Sequence, residues 1–192
     1  MKKVIISMFL LSFMAGLFGQ VIRISVAPTI SNARYFPTVV GGYGSDGKLG
    51  VAASVEYIKS MKTRFSYGFG VDYLHSNVEI IPAPTGEPRE SHIESINVLA
   101  VSFKTVYNLR KLYFSANPLL DIQLPSDSQS SVDKQTGLGV SFSVGWRFEI
   151  AENIGFALEP MIWIHNIVPF IDQSTPERLV VVGLKAGISL GQ

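Results

Sequence analysis

The sequence contains no cysteine. That excludes disulfides, cysteine-based metal sites, thiol catalysis and lipid attachment at an N-terminal cysteine, so backbone ladder and packing alone must hold the fold. An excess of either charge is also missing, with 16 Lys+Arg against 15 Asp+Glu over 192 residues. A surface that displaces counterions from phosphates needs a basic excess. No nucleic-acid motif is present either, so nucleic acid is not an expected partner. No linker, internal repeat or low-complexity run divides the chain. The glycines of residues 41–47 are followed by no Gly-Lys-Ser/Thr closure, and they are read as loop rather than as a phosphate cradle.

One apolar stretch stands out. Lys2 and Lys3 precede residues 4–18, and Ala15, Gly16 and Gly19 form a small-residue end before Gln20. Ser7, Ser12 and Gly16 interrupt the stretch, which is shorter than the roughly 20 residues a spanning helix needs. Residues 1–19 are therefore expected to be a secretory signal peptide. Removing Lys2 and Lys3 lowers the basic count from 16 to 14 against 15 acids, and the remaining residues 20–192 are expected to form a single domain.

That remainder repeats one pattern: about ten residues alternating apolar and polar, then a break that is short and long by turns. In residues 138–148, Leu138, Val140, Phe142, Val144, Trp146 and Phe148 share one face, and Gly139, Ser141, Ser143, Gly145 and Arg147 the other. A period of two puts these sets on opposite sides of a sheet. Strands are expected near residues 21–29, 48–58, 63–76, 93–107, 111–121, 136–149, 153–166 and 178–190. Breaks at 59–62, 108–110 and 150–152 are hairpin-sized, whereas those at 30–47, 77–92, 122–135 and 167–177 are long. Short turns alternating with long loops are the signature of an all-β fold, an eight-stranded antiparallel up-and-down transmembrane β-barrel with short periplasmic turns and long external loops. Pro118 and Pro160 fall inside strands, where each removes a ladder donor, and bulges or register changes are expected there. Residues 35–43 are compatible with a hairpin arm beyond the membrane.

In this pattern the chain resembles the small outer-membrane β-barrel domain family, the OmpA-like, OmpX-like and PorT-like barrels of Gram-negative cells. The resemblance implies location in the outer membrane and leaves room for a role in a protein-secretion or gliding machinery. It differs at the end, where Leu190-Gly191-Gln192 stands in place of the usual terminal aromatic.

The alternation assigns Arg23, Glu56, Arg64, Asp72, Lys104, Arg147, Glu149, Glu159 and Lys185 to the lumen. Five positive and four negative groups nearly cancel, which predicts a salt-bridged plug and a closed polar lumen, because an eight-stranded barrel is filled by side chains. Glu56 is expected opposite Arg64, and Glu159 near Lys185, with Lys104 and Arg147 competing for the same carboxylate. Tyr57, Phe65, Tyr107, Trp146, Phe148 and Phe156 are expected to form the inner aromatic girdle. His75, His92 and His165 fall at external strand ends as interfacial residues. His75 and His92 bracket one loop, but without a third ligand they predict no metal site. His75-Ser76 and Ser91-His92 are adjacent and so point to opposite faces of a strand, which is wrong for a hydrolase pair. Asp121, Asp127 and Asp133 lack calcium-loop spacing. The expectation is a monomeric, non-enzymatic barrel without cofactor or metal, in contact with outer-membrane lipid and acting in envelope structure or in binding a surface ligand or protein through its loops. A small channel is the alternative.

Overall fold

The computed structural model describes residues 20–35, 43–61, 64–83, 90–125, 131–171 and 177–191. The signal-peptide expectation for residues 1–19 lies outside them, as do residues 36–42 of the supposed hairpin arm. Among the described residues the chain runs through eight strands: β1 (Gln20–Tyr35), β2 (Gly44–Ser60), β3 (Phe65–Ile81), β4 (His92–Leu109), β5 (Leu112–Gln123), β6 (Gly137–Ala151), β7 (Ile154–Pro169) and β8 (Glu177–Leu190). Each pairs antiparallel with its sequence neighbour, and β1 pairs with β8, from Ile22 opposite Leu190 to Tyr35 opposite Glu177. The sheet is a closed barrel without an edge, as a bilayer demands of any strand structure that crosses it.

The period-two pattern explains the wall. On β1, Arg23, Ser25, Ala27, Thr29 and Ser31 are buried inside, while Ile24, Val26 and Ile30 are more than half exposed outside. Every other strand repeats the division, with Val55, Phe69, Val71, Phe103, Phe142 and Ile188 on the outer face. A continuous apolar band of this kind is an aggregation liability in water but fits the hydrocarbon of a membrane. Polar side chains mark where the band ends toward the long loops. Asn97 Oδ1 takes bonds from Tyr73 and His75 at 2.9 Å, and Asn77 Nδ2 donates to the Leu49 carbonyl at 2.9 Å. Strands β2, β3 and β4 are 17, 17 and 18 residues long, longer than the 9–11 or so that a tilted span requires. Their extra residues project past the band.

Several expected boundaries move for this reason. Residues 44–47, expected in a long loop, are strand, and the β2–β3 pairing changes register between Gly47 and Val51. Short turns sit at Arg110-Lys111 and at Glu152-Asn153, and β2 ends at Ser60 with β3 beginning at Phe65; Arg110 takes φ 55° to close its two-residue hairpin. The prolines do not shift the register. Ser102 opposite Leu119 and Val106 opposite Ser115 place Pro118 across from Phe103 with the register unchanged, yet residues 103–105 make no ladder pairs with β5. Pro118 has no N–H to give, and the Thr105 N–H is met instead by Asn117 Oδ1 at 3.2 Å. Pro160 leaves a similar gap opposite Val144 in the β6–β7 ladder, again without a shift. True irregularities lie elsewhere, between Leu138 and Val140 and between Glu149 and Ala151.

Candidate functional site

Six of the nine predicted lumen charges meet in one cluster in the short-turn half of the barrel. Glu56 is its hub. Oε1 lies 3.0 Å from both Lys104 Nζ and Lys185 Nζ, and Oε2 lies 3.4 Å from Arg23 Nη1. Arg23 also reaches Glu159 at 3.2 Å, and the two lysines approach Asp72 at 3.7 and 3.9 Å. Ser102 donates to Asp72 at 2.7 Å. Three cations face three carboxylates, none more than 5 % exposed. Buried ions tolerate this only when paired and hydrogen-bonded from several sides, and here the barrel wall supplies partners from nearly every strand.

Two glycines make the cluster possible. Gly70 stands between Glu56 and Ser102 in register, and a Cβ there would come within 2.7 Å of the Lys104 side chain. Its absence lets Lys104 cross β3 to reach Glu56. Gly145 stands opposite Tyr113, and the Tyr113 ring lies directly over the space a side chain would occupy. Tyr113 is thereby laid flat across β6, where its hydroxyl accepts from Arg23 at 3.0 Å and donates to Glu159 at 2.6 Å. Sequence reading missed this residue. Its signal was parity: Tyr113 lies in phase with Ser115 and Asn117 on the inward face of β5.

The remaining predicted residues are placed differently. Arg64 lies in the β2–β3 turn, exposed, with Nη1 3.4 Å from the Tyr107 hydroxyl. It does not face Glu56, whose neighbours in register are Arg23 and Gly70, because β3 begins only at Phe65. Glu149 is exposed at the end of β6, and Arg147 is half-buried over the Tyr113 ring, apart from the six. Glu159 and Lys185 are cross-strand neighbours, but Lys185 turns to Glu56 and Asp72 while Glu159 takes Arg23 and Tyr113. The six girdle aromatics all lie on the outer face near the short turns. Phe65 packs on Tyr107 with centroids 5.0 Å apart and Phe148 on Phe156 at 6.2 Å, Trp146 is exposed, and Tyr57 is half-buried opposite Phe69.

The long-loop half of the lumen departs from the expected polar interior. Leu74, Ile96, Val98, Trp163, Leu179 and Val181 pack there as an apolar core. Val132, from the chain between β5 and β6, descends into it. Above it the loop bases are tied together: Glu94 accepts from Ser131 N–H at 2.8 Å, the Tyr43 hydroxyl donates to Ser131 O at 2.8 Å and to Glu177, and Asp133 accepts from Glu177 N–H at 2.9 Å. Apolar side chains pack this half closely, with the buried polar groups Glu94, Asp121, Gln135, His165 and Glu177 set beside them.

The histidines also separate. His75 pairs with Asn97 in register and His92 with Ile80, so they do not meet across the hairpin. His165 is not interfacial. It is fully buried in the lumen, with Nδ1 3.0 Å from Asp121 Oδ1. The next residue, Asn166, has φ 56° and is also buried, which breaks the alternation and turns two consecutive side chains inward.

No family model and no curated protein matches the chain. Solved structures do. Neisserial surface protein A is similar over 91% of this chain and 97% of its own, at 15% identity and a TM-score of 0.50. OprG from Pseudomonas aeruginosa is similar over 90% and 95%, at 12% identity and 0.50. Ail of Yersinia pestis, solved with the heparin analogue sucrose octasulfate, is similar over 90% and 100%, at 12% and 0.49. With its closed ring of eight antiparallel strands, apolar outer band and polar cluster within, the chain has the fold of the small outer-membrane β-barrel proteins.

Proposed function

We propose that this protein is a monomeric, non-conducting outer-membrane barrel, exported by a signal peptide, that works at its long-loop end by binding a surface ligand or protein partner or by supporting the envelope. The observation that carries this is the double seal of the lumen. The six-charge cluster crosses the short-turn half, and a packed apolar core under Val132 fills the other. A water-filled pore needs a continuous polar path, and a core of Leu74, Trp163 and Leu179 offers none. The projecting ends of β2, β3 and β4 and the tied loop bases instead present a rigid platform outside the membrane. The six lumen charges are engaged with one another across the barrel, which favours a structural over a catalytic reading of that cluster. Planar-bilayer recording on the folded protein tests it: no steady current is expected, and reproducible single-channel steps would overturn the seal.

A further inference from the structure

One guanidinium stands outside the lumen cluster. Arg147 is inward on β6, two residues beyond Gly145, with its Cζ 5.4 Å from the Tyr113 ring centre. Its Nε is buried without a hydrogen-bond partner, and among the described residues no carboxylate pairs with it. It borders a cavity of about 610 Å³ that opens at the short-turn end of the barrel. Ser66, Ser189 and Gly155 surround the inner part of this space, and Glu149 and Glu152 line it nearer the β6–β7 turn. Ser66 Oγ accepts from Asn108 at 3.0 Å, so its own proton remains to donate. Gly155 keeps the space open: a Cβ there would lie 2.6 Å from Ser189 Oγ and 4.0 Å from Arg147 Cγ.

A half-buried guanidinium that feels Glu149 and Glu159 only at a distance, with no carboxylate in ion-pair reach, can take a further anion, and its planar fork suits a carboxylate or phosphate. The two glutamates decide what kind of anion. A simple anion entering the cavity passes negative charge at the rim, whereas a molecule with an ammonium at its other end is favoured at both places. Arg147 and Glu149 are two residues apart on one strand, about 7 Å, which is about the length of an extended dipeptide.

We infer that this cavity is a binding site for a zwitterionic short peptide, its terminal carboxylate on Arg147 with Ser66 and Ser189 beside it, and its ammonium at Glu149 and Glu152. Because the short turns are the periplasmic side in the proposed orientation, the ligand is taken from the periplasm. The site lies apart from the external loops and adjoins the lumen cluster through Tyr113, on whose ring Arg147 rests.

Calorimetry on the full folded chain in detergent, with the dipeptide alanyl-alanine as probe, tests the assignment. Saturable binding is expected, weakened roughly tenfold or more by Arg147→Gln or by amidation of the dipeptide carboxylate, as loss of a charged hydrogen bond implies. N-acetylation of the dipeptide weakens it as well, and Gly155→Ala occludes the site. The heat-dependent gel shift of each variant reports whether the barrel is intact. Should a variant fail to fold, amide shifts of Gly155 and Ser189 in the unmodified protein on adding the dipeptide provide the second measurement. Absence of saturable binding and of shifts overturns the site. Equal affinity for the N-acetylated dipeptide, or inorganic phosphate binding as tightly as the dipeptide, overturns the zwitterionic ligand.

Discussion

Glu56 accepts from two lysines and faces one arginine, so it carries more of the interior than any other side chain in the cluster. Replacing it with Gln keeps the shape but leaves Lys104 and Lys185 buried with only their longer contacts to Asp72. Breaking a buried ionic group in this way costs about 3–5 kcal/mol, and guanidinium unfolding in lipid vesicles is expected to show a loss of that order. Tyr113→Phe removes only the hydroxyl between Arg23 and Glu159, and about 1–3 kcal/mol is expected. A contrasting pair lies outside the membrane band. Lys48 Nζ is 2.6 Å from Glu79 Oε2, and that bond, with help from Ser91, holds the Glu79 carboxyl below the usual glutamate range. A carboxyl depressed in the folded state stabilises it above the unfolded pKa, and the contribution is lost as pH falls through the folded value. NMR titration of Glu79 should give a midpoint below that of a free glutamate, returning toward it in Lys48→Ala. Because the pair is exposed, global stability should hardly change.

Among the strands, β5 and β6 form a hairpin whose own ladder is continuous from Leu112 opposite Trp146 to Asp121 opposite Gly137. Its outer ladders are each interrupted, by Pro118 on one side and Pro160 on the other. Hydrogen exchange should therefore open the β4–β5 seam before the β1–β2 seam, whose register runs unbroken from Gln20 to Ser31. Asn117→Ala should expose the Thr105 amide, since Asn117 Oδ1 is its acceptor, and that amide should exchange faster while those of β1 stay protected. If Thr105 exchange were unchanged, the side-chain substitution for the missing ladder bond would be wrong.

For the whole molecule, closure is the governing property. A closed barrel with a charged interior resists detergent until heated, so the folded protein should migrate differently on a gel before and after boiling. Outer-membrane fractionation of the native cell should recover it with the lipid, because the outward band leaves no stable water-soluble form.

The class of fold was legible in the sequence because a sheet with lipid on one side imposes a period of two, and residues 138–148 carry that period without a break. Short and long connections alternate for an equally direct reason, the two different surroundings at the two ends of the strands. Six members of the ionic cluster were likewise assigned to the lumen by parity, since a charged side chain cannot face hydrocarbon. What parity cannot give is height and reach. Arg64 and Glu149 lie at strand ends, where inward and solvent-facing directions merge, and Arg23 joins Glu159 only because β1 and β7 curve toward each other through the closed ring. Tyr113 reaches its place because Gly145 is bare, and His165 and Asn166 both enter the lumen because one residue adopts a left-handed conformation. Those outcomes depend on which residues are brought opposite one another across the barrel, and only the tertiary structure decides that.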